Sequence, residues 1–205
     1  MFRFGIMGAG NIAAQFCDAV KISGCAEVIA VASRTPGKAE IFAKKNDIPF
    51  YYSSYEEMLA KKDVDGIYVA TTHNLHYENM IQALSAGKHV LCEKAFTMRK
   101  QEAEAVFDLA RKKGLFCMEA MWSRFLPAIQ KAKSWIEAGL IGDLNMAHFM
   151  IGFASSSDPN GRLRNKALGG GAMFDISVYA IEITSYLIGK PILSFNGSVL
   201  KDENG

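Results

Sequence analysis

Short apolar runs alternate with amphipathic stretches over the first 120 residues of the chain. Between the runs, apolar residues recur at helical spacing, as from Asn11 to Lys21, and several of these stretches end at a glycine. The apolar runs predict strands at Phe2–Met7, Glu27–Ala32, Ile48–Tyr52, Gly66–Thr71, His89–Cys92 and Leu115–Glu119. Strands and helices that alternate in this way predict an α/β domain with a doubly wound parallel sheet and right-handed crossovers.

The pattern changes after Met121. Residues 127–138 predict a helix, Leu144–Phe153 a long two-faced strand, 172–187 a second helix and Leu193–Leu200 a last strand. We therefore predict two domains, a Rossmann domain over 1–121 and the start of an α/β domain with an open, mainly antiparallel sheet over 122–205. Asn204-Gly205 is a hairpin-turn signal with no strand after it, which indicates that this second domain is truncated.

Composition and charge exclude several classes of protein. Apolar residues make up 50% of the 205 residues and charged residues 21%, which is typical of a folded globular chain. The net charge of +2 argues against a nucleic-acid-binding protein. No apolar run reaches the roughly 18 residues of a spanning helix, and the N-terminus lacks a signal-peptide pattern. From these two observations we expect no membrane partner. The four cysteines are scattered, as is typical of proteins in the reducing cytoplasm, where we expect this protein.

The first predicted strand leads into a glycine-rich turn with the pattern G-x-G-x-x-A. Gly8 makes the tight turn, Gly10 lets a pyrophosphate approach the backbone, and the following helix presents the N–H groups of Asn11 and Ile12. The position directly after a strand and before a helix predicts a dinucleotide site.

The end of the second strand distinguishes between the two nicotinamide dinucleotides. NAD-binding proteins usually place an acidic residue there, whereas this chain has Ser33-Arg34-Thr35, followed by Lys38. A guanidinium and hydroxyls suit a 2′-phosphate. We therefore predict NADP, with NAD as a possible alternative if Arg34 is only a solvated surface residue.

Several segments together resemble the glucose–fructose oxidoreductase / inositol dehydrogenase / rhizopine-catabolism (Gfo/Idh/MocA) family. They are the glycine turn, the segment AGKHVLCEK at 86–94 and the pair Asp175-x-x-x-Tyr179. The segments MEAMWSRFLPA and GGGAMFDISVYAI are most similar to the branch of dihydrodiol dehydrogenases and NADP-dependent D-xylose dehydrogenases. Most members have proline after the lysine, whereas Ala95 follows Lys94 here, so we expect no cis peptide bond at this position.

The resemblance implies a catalytic role for Lys94, Asp175 and Tyr179. In this branch the phenol of Tyr179 exchanges a proton with the oxygen at the reacting carbon. A free phenol, with a pKa of about 10, is a poor base at neutral pH, so a cation such as Lys94 is needed to support it. Glu93 either orients this lysine at the cofactor or caps the next helix. The resemblance also implies a homodimer, or a larger homo-oligomer, through the C-terminal sheet.

Further candidates for the site follow the fourth strand and the domain junction. Thr71 and His73 are predicted to line the nicotinamide pocket, with His76 near the substrate. The two histidines have no further ligand nearby, so no metal site is predicted. The aromatic residues at the junction either pack between domains or, as the branch implies, wall a sugar or apolar pocket. The substrate-binding candidates are His76, Trp122, Arg124, Phe125 and Phe153. The basic loop of Arg162, Arg164 and Lys166 is expected to be solvated, with contact to the substrate or to a second subunit as the alternative.

These features favour an NADP-dependent oxidoreductase with a small polyol, sugar or trans-diol as its substrate. Transfer of a hydride to or from the nicotinamide would be coupled to proton transfer by Tyr179. Two alternatives remain, an NAD-linked inositol or aminosugar dehydrogenase and a dinucleotide-sensing regulator without catalysis.

Overall fold

A computed structural model describes residues 1–154, 158–194 and 196–200. Its internal contacts divide the chain into two compact units, Met1–Ala120 and Met121–Gly205.

The first unit is built on one parallel sheet of six strands. The strands are β1 (Phe2–Met7), β2 (Ala26–Ala32), β3 (Phe50–Tyr52), β4 (Gly66–Val69), β5 (His89–Cys92) and β6 (Cys117–Glu119). Their order is β3-β2-β1-β4-β5-β6, and every neighbouring pair is parallel. The predicted Rossmann-like α/β sheet is confirmed.

Five helices connect these strands, namely α1 (Asn11–Ser23), α2 (Lys38–Asn46), α3 (Tyr55–Leu59), α4 (His73–Ser85) and α5 (Lys100–Lys113). Glycines in the left-handed conformation end α1 and α5, at Gly24 and Gly114. The hydroxyl of Ser54 accepts a hydrogen bond from the backbone N–H of Glu57 and so caps α3. Helix α4 begins at His73, directly after the loop that follows β4.

Two buried clusters cover the two faces of the sheet. One contains Met58, Ile67, Met80 and Val106, and the other contains Ile6, Val31 and Phe42. All four residues of β4 are buried, as expected for a central strand of a parallel sheet. The rigid centre of this unit therefore fixes the loops that follow β1, β2, β4 and β5.

The second unit contains two longer helices, α6 (Pro127–Glu137) and α7 (Val178–Ile188). Short 3₁₀ turns span Trp122–Phe125 and Lys166–Leu168, and a π turn, Met173–Ser177, leads directly into α7. The Nζ atom of Lys133 lies 3.4 Å from the carbonyl oxygen of Leu187, which connects α6 to the end of α7.

The strands predicted at Leu144–Phe153 and Leu193–Leu200 are not formed in the described residues. A strand needs hydrogen bonds to a neighbouring strand, and within the described part of this unit no second strand lies beside either segment. The predicted turn at Asn204-Gly205, like Phe195, lies outside the described residues. The antiparallel sheet remains a prediction.

One helical stretch of the described chain, Lys166–Ile188, has the length and composition of a membrane-spanning helix, with a mean hydropathy of 1.2. The sequence prediction concerned uninterrupted apolar runs, and this stretch is interrupted by charged residues. The stretch includes Asp175 and Glu182, and both form ion pairs within the second unit. Because charged groups are costly in a bilayer, this single stretch is weak evidence for a membrane role.

Candidate functional site

The glycine turn after β1 has the geometry that its pattern predicts. Gly8 has φ of +100°, and a Cβ added there would lie 2.6 Å from the carbonyl oxygen of Ala70, so only glycine fits. A Cβ on Gly10 would meet nothing within 4 Å, which leaves open space above the start of α1. No side chain caps α1, and its first turn has no acidic residue. The backbone at Gly10, Asn11 and Ile12 therefore fits a pyrophosphate.

The end of β2 lies beside this turn, because the backbone N–H of Gly8 donates to the carbonyl oxygen of Ala32 at 3.0 Å. Ser33 is buried, and its hydroxyl accepts from the backbone N–H of Thr35 at 3.3 Å, which shapes the turn after the strand. The guanidinium of Arg34 lies over the ring of Tyr55, 5.5 Å from its centroid. The turn therefore presents a positioned cation, with Lys38 exposed at the start of α2.

Two neighbouring strands, β4 and β5, are joined by a buried hydrogen bond between a phenol and a carboxylate. The hydroxyl of Tyr68 donates to the carboxylate of Glu93, and both residues are buried. Burial and the nearby Glu93 carboxylate raise the pKa of Tyr68, so the phenol stays protonated and acts as the donor. The ring of Phe16 stacks on Tyr68, with centroids 3.8 Å apart. Glu93 is therefore fixed inside the unit and does not cap the next helix.

The residue after Glu93 is the half-buried Lys94, and the first turn of α4 holds the backbone that follows it. His73 Nε2 lies 3.1 Å from the carbonyl oxygen of Lys94, and His76 Nδ1 lies 2.8 Å from that of Ala95. The peptide bond between Lys94 and Ala95 is cis, so the expectation of a trans bond here is wrong. Cis bonds before residues other than proline are rare, and nothing in the sequence indicates this one.

The structure gives His76 a different place from the one expected. Its side chain is fully buried, and its Nε2 atom lies 3.2 Å from the carbonyl oxygen of Thr71. Burial lowers the pKa of His76 to about 4, so the ring is neutral at physiological pH. The hydroxyl of Thr71 accepts from the side-chain amide of Asn79 at 2.9 Å. His76 therefore has no exposed surface with which to contact a substrate.

Tyr179, near the start of α7, contacts one of the predicted aromatic residues. The indole N–H of Trp122 donates to the hydroxyl oxygen of Tyr179 at 2.9 Å, and the two rings meet at 71°. A phenol oxygen can accept one hydrogen bond and donate another, and here it accepts from the indole. Trp122 is 56% exposed and Phe125 is 64% exposed. Both present aromatic surface from the 3₁₀ turn that follows the first unit.

Arg124 is held by α7. Its guanidinium forms an ion pair with Glu182 and lies 4.8 Å from the centroid of the Tyr186 ring. These contacts explain the orientation of Arg124 without a ligand. They also make it an internal connection between the 3₁₀ turn and α7.

Asp175 lies in the π turn and lines a small cleft. It is buried, and its Oδ1 atom accepts from Nη1 of Arg162 at 3.1 Å, so Arg162 is not simply solvated as expected. The cleft has a volume of about 110 Å³, below the range of typical ligand pockets. Its lining residues are Phe153, Leu163, Gly171, Ala172, Asp175 and Ile176.

The structure gathers the predicted residues in two sets. The glycine turn, Ser33, Arg34, Thr71, Glu93 and Lys94 lie in the first unit, whereas Tyr179, Asp175 and the aromatic residues lie in the second. Among the described residues, no cluster of three histidine, cysteine or acidic side chains has the arrangement of a metal site.

Sequence analysis missed Tyr68 and Tyr55, and it did not connect Arg162 with Asp175. A signal existed for Tyr68, because it is the one polar side chain in the buried run Gly-Ile-Tyr-Val and a buried hydroxyl needs a partner. No sequence signal connects Arg34 to Tyr55 or Arg162 to Asp175, since both contacts join loop residues to other elements.

Comparison with known proteins gives two family matches. The family described as "Oxidoreductase family, NAD-binding Rossmann fold" (GFO_IDH_MocA) matches residues 2–121. The GFO/IDH/MocA C-terminal domain matches residues 129–204.

Individual relatives are similar along most of this chain. Trans-1,2-dihydrobenzene-1,2-diol dehydrogenase of Mus musculus is 39% identical over 189 residues, which cover 91% of this chain and 56% of that protein. D-xylose 1-dehydrogenase (NADP(+)) of Hypocrea jecorina is 40% identical over 199 residues, covering 87% and 51%. A 3-ketoreductase from Actinomadura kijaniata, solved with NADP and TDP-benzene, has a TM-score of 0.78 at 31% identity, covering 91% of this chain and 57% of that chain. The chain thus spans about half the length of these relatives.

Proposed function

Because the chain belongs to the GFO/IDH/MocA oxidoreductase family, we propose that it forms part of an NADP-dependent dehydrogenase acting on a CH–OH group of a sugar or trans-dihydrodiol. The observation that carries the proposal is the edge of the sheet where β2, β1, β4 and β5 end side by side. These ends carry Arg34, the Gly8–Gly10 turn, Thr71 and Lys94. Ligands of doubly wound sheets bind at this edge.

The cofactor proposal assigns the phosphates of NADP to two neighbouring features. The backbone from Gly10 to Ile12 takes the pyrophosphate, and Arg34 takes the 2′-phosphate, with Ser33 and Lys38 beside it. The position of Arg34 over Tyr55 supports this, because a guanidinium held by a ring is oriented before the ligand arrives. When bound, NADP supplies the hydride acceptor for oxidation of the substrate or the hydride donor for the reverse reaction.

The proton proposal assigns the acid–base role to Tyr179. Its oxygen accepts the indole N–H of Trp122, which helps to position the hydroxyl, and the oxygen at the reacting carbon is the proposed partner in proton exchange. Lys94 supports the same proton electrostatically, and Asp175, neutralised by Arg162, shapes the wall of the cleft. The family resemblance supports these roles.

The substrate proposal places a sugar or cyclic diol against exposed aromatic surface in the second unit. Trp122, Phe125 and Phe153 are all more than half exposed, and aromatic faces suit the apolar side of a sugar ring or a diol. Arg124 and His76 are left out of this contact set, because Glu182 and backbone carbonyl groups already hold them.

We also propose that the segments predicted as strands, Leu144–Phe153 and Leu193–Leu200, join an antiparallel sheet that forms the interface of a homo-oligomer. Their exposed apolar side chains, including Met146, Met150 and Leu193, support this.

The test is a turnover assay of the protein with each cofactor. We expect NADP to be reduced with D-xylose or a cyclic trans-diol, and NAD to be reduced far more slowly. Binding of each cofactor is measured separately by titration, so that a lack of turnover is distinguished from a lack of binding. Preference for NAD in both measurements would contradict the cofactor assignment. Tight NADP binding without turnover on aldoses, inositols and diols would contradict the activity and favour the dinucleotide-sensing regulator.

A further inference from the structure

Four consecutive residues after the end of β5 are each held by a side chain from another element. The Glu93 carboxylate accepts from Tyr68, and the backbone N–H of Phe96 donates to Oε1 of Glu119 at 2.8 Å. Between them, the carbonyl oxygens of Lys94 and Ala95 face the two histidines of α4. The backbone that carries the Lys94 side chain is thus held at its own carbonyl group and at the residues before and after it.

The two histidines lie in the same helical turn and contact the same short stretch of backbone. They lie three residues apart in the first turn of α4, and their rings meet at 89° with centroids 5.6 Å apart. Both are buried. Buried polar groups cost free energy unless they are hydrogen-bonded. Each of these rings is hydrogen-bonded to a carbonyl oxygen of the Lys94–Ala95 dipeptide, which offsets this cost.

The contact distances support an assignment of the donating nitrogens. A neutral imidazole has one N–H group. For His76, the contact of 2.8 Å from Nδ1 to Ala95 is shorter than the contact of 3.2 Å from Nε2 to Thr71, and we assign the proton to Nδ1 on this basis. For His73, the donor to Lys94 is Nε2, at 3.1 Å.

We propose that His73 and His76 are positioning residues that set the place of the Lys94 amine by holding the carbonyl oxygens of Lys94 and Ala95. The inference rests on the proposed function, because it assumes that the location of this amine matters for the reaction. A displacement of about 1 Å in a catalytic group can lower the rate on the order of 10²-fold. A lysine side chain has many rotamers, so a fixed backbone is the first requirement for placing its amine.

The side-chain amides of asparagine and glutamine allow a crossed test. The amide nitrogen of asparagine is as many bonds from Cα as Nδ1 of histidine, and that of glutamine is as many bonds from Cα as Nε2. His76→Asn and His73→Gln therefore retain the donor to the Lys94–Ala95 carbonyls. His76→Gln and His73→Asn carry the same amide group, but its nitrogen is one bond too far from Cα in the first variant and one bond too close in the second. The alanine variant at each position provides the baseline for rescue.

Each variant is measured in three ways. The first is the split between kcat and KM, the second is the rate at which an amine-reactive ester labels Lys94, followed by peptide mass spectrometry, and the third is the thermal midpoint. We expect the alanine and mismatched variants to lose about 10-fold to 10²-fold in kcat, together with a change in the Lys94 labelling rate. The matched variants should restore most of both readouts.

The comparison of matched with mismatched variants distinguishes positioning of Lys94 from a purely structural role of the histidines. If asparagine and glutamine behave alike at each position in kcat and in labelling, while the thermal midpoint falls, the histidines only stabilise the fold and the proposal is wrong. The labelling readout does not depend on turnover. A native protein without dehydrogenase activity would therefore contradict the proposed function, while a crossed labelling pattern would still support the positioning of Lys94.

Discussion

The hydroxyl of Tyr68 and the carboxylate of Glu93 are hydrogen-bonded to each other inside the first unit, where β4 and β5 lie side by side. The phenol is protonated because burial and the adjacent carboxylate both raise its pKa. Glu93 directly precedes Lys94 in the chain. This buried pair therefore anchors the segment on which the proposed chemistry depends.

Replacing the phenol tests this anchor. Tyr68→Phe keeps the ring that stacks on Phe16 but leaves the buried Glu93 carboxylate with one donor fewer. We expect the free energy of unfolding to fall by about 1–3 kcal/mol, the cost of an unsatisfied buried group, as measured by urea denaturation. Tyr77→Phe is the matched control, because its hydroxyl has no hydrogen-bond partner among the described residues. Equal losses in the two variants would contradict the role of this bond.

The cofactor assignment makes a prediction at Arg34. Arg34→Asp removes a charge-assisted contact to a 2′-phosphate, so NADP binding should weaken by about 1.5–3 kcal/mol, with NAD less affected. Titration of both cofactors measures this difference. Arg111→Asp makes the same change in charge in the last turn of α5, at the opposite edge of the sheet, and should leave both affinities unchanged. If the affinities for NADP and NAD change equally in Arg34→Asp, the guanidinium does not contact the 2′-phosphate.

The proton relay makes a prediction at Tyr179 and Lys94. Tyr179→Phe removes the transferable proton and keeps the ring, so turnover should fall about 10²–10⁴-fold, the usual contribution of a general acid or base. Lys94→Met should also lower turnover, and the two losses should not add, because both residues act on one proton. NADP affinity should be nearly unchanged. Tyr186→Phe removes a hydroxyl from the same helix as a control. An unchanged rate per folded molecule in Tyr179→Phe would exclude the mechanism.

The buried imidazole of His76 predicts a dependence of stability on pH. Its pKa is lowered from 6.5 to about 4, so between these values the unfolded chain binds a proton that the folded chain does not. Stability should therefore fall as the pH falls through this window, by roughly 3 kcal/mol in all. The nearest titratable group is His73, whose charged form also disfavours a charge on His76.

Urea denaturation at several pH values between 4 and 7 checks this, with His76→Asn as the comparison. The variant should lose this part of the pH dependence, while the contribution of carboxylates such as Asp65 stays in both proteins. Parallel curves for the two proteins would show that His76 titrates normally in the folded state.

The fold of the first unit was predictable because its strands and its glycine turn can each be recognised from a short stretch of sequence. Buried parallel strands are continuous apolar runs, and the glycine turn has a backbone requirement that its residue types reveal. The strand at Leu144–Phe153 shows the limit. Its pattern is compatible with a strand that has two different faces. A strand forms only when a neighbouring strand is present, and the pattern within one segment does not show whether there is one.

The site shows a second limit. Sequence identifies the types of residue near a strand end, but not the atoms that they face. His73 and His76 have the spacing of one helix face, yet only the fold shows that they face the carbonyl oxygens of Lys94 and Ala95. Arg124 likewise has the chemistry of a substrate contact, and it is oriented by Glu182 instead.

The hydrogen bond between Trp122 and Tyr179 also gives the second unit an optical property. Tyrosinate absorbs light at the wavelengths where tryptophan emits, whereas protonated tyrosine does not, and the two rings lie 5.9 Å apart. Loss of the Tyr179 proton should therefore quench the emission of Trp122, and Tyr179→Phe should abolish this response while Trp135, the second tryptophan, continues to emit. The indole that orients the phenol is in this way a built-in fluorescent reporter of its protonation state, in the absence of any substrate.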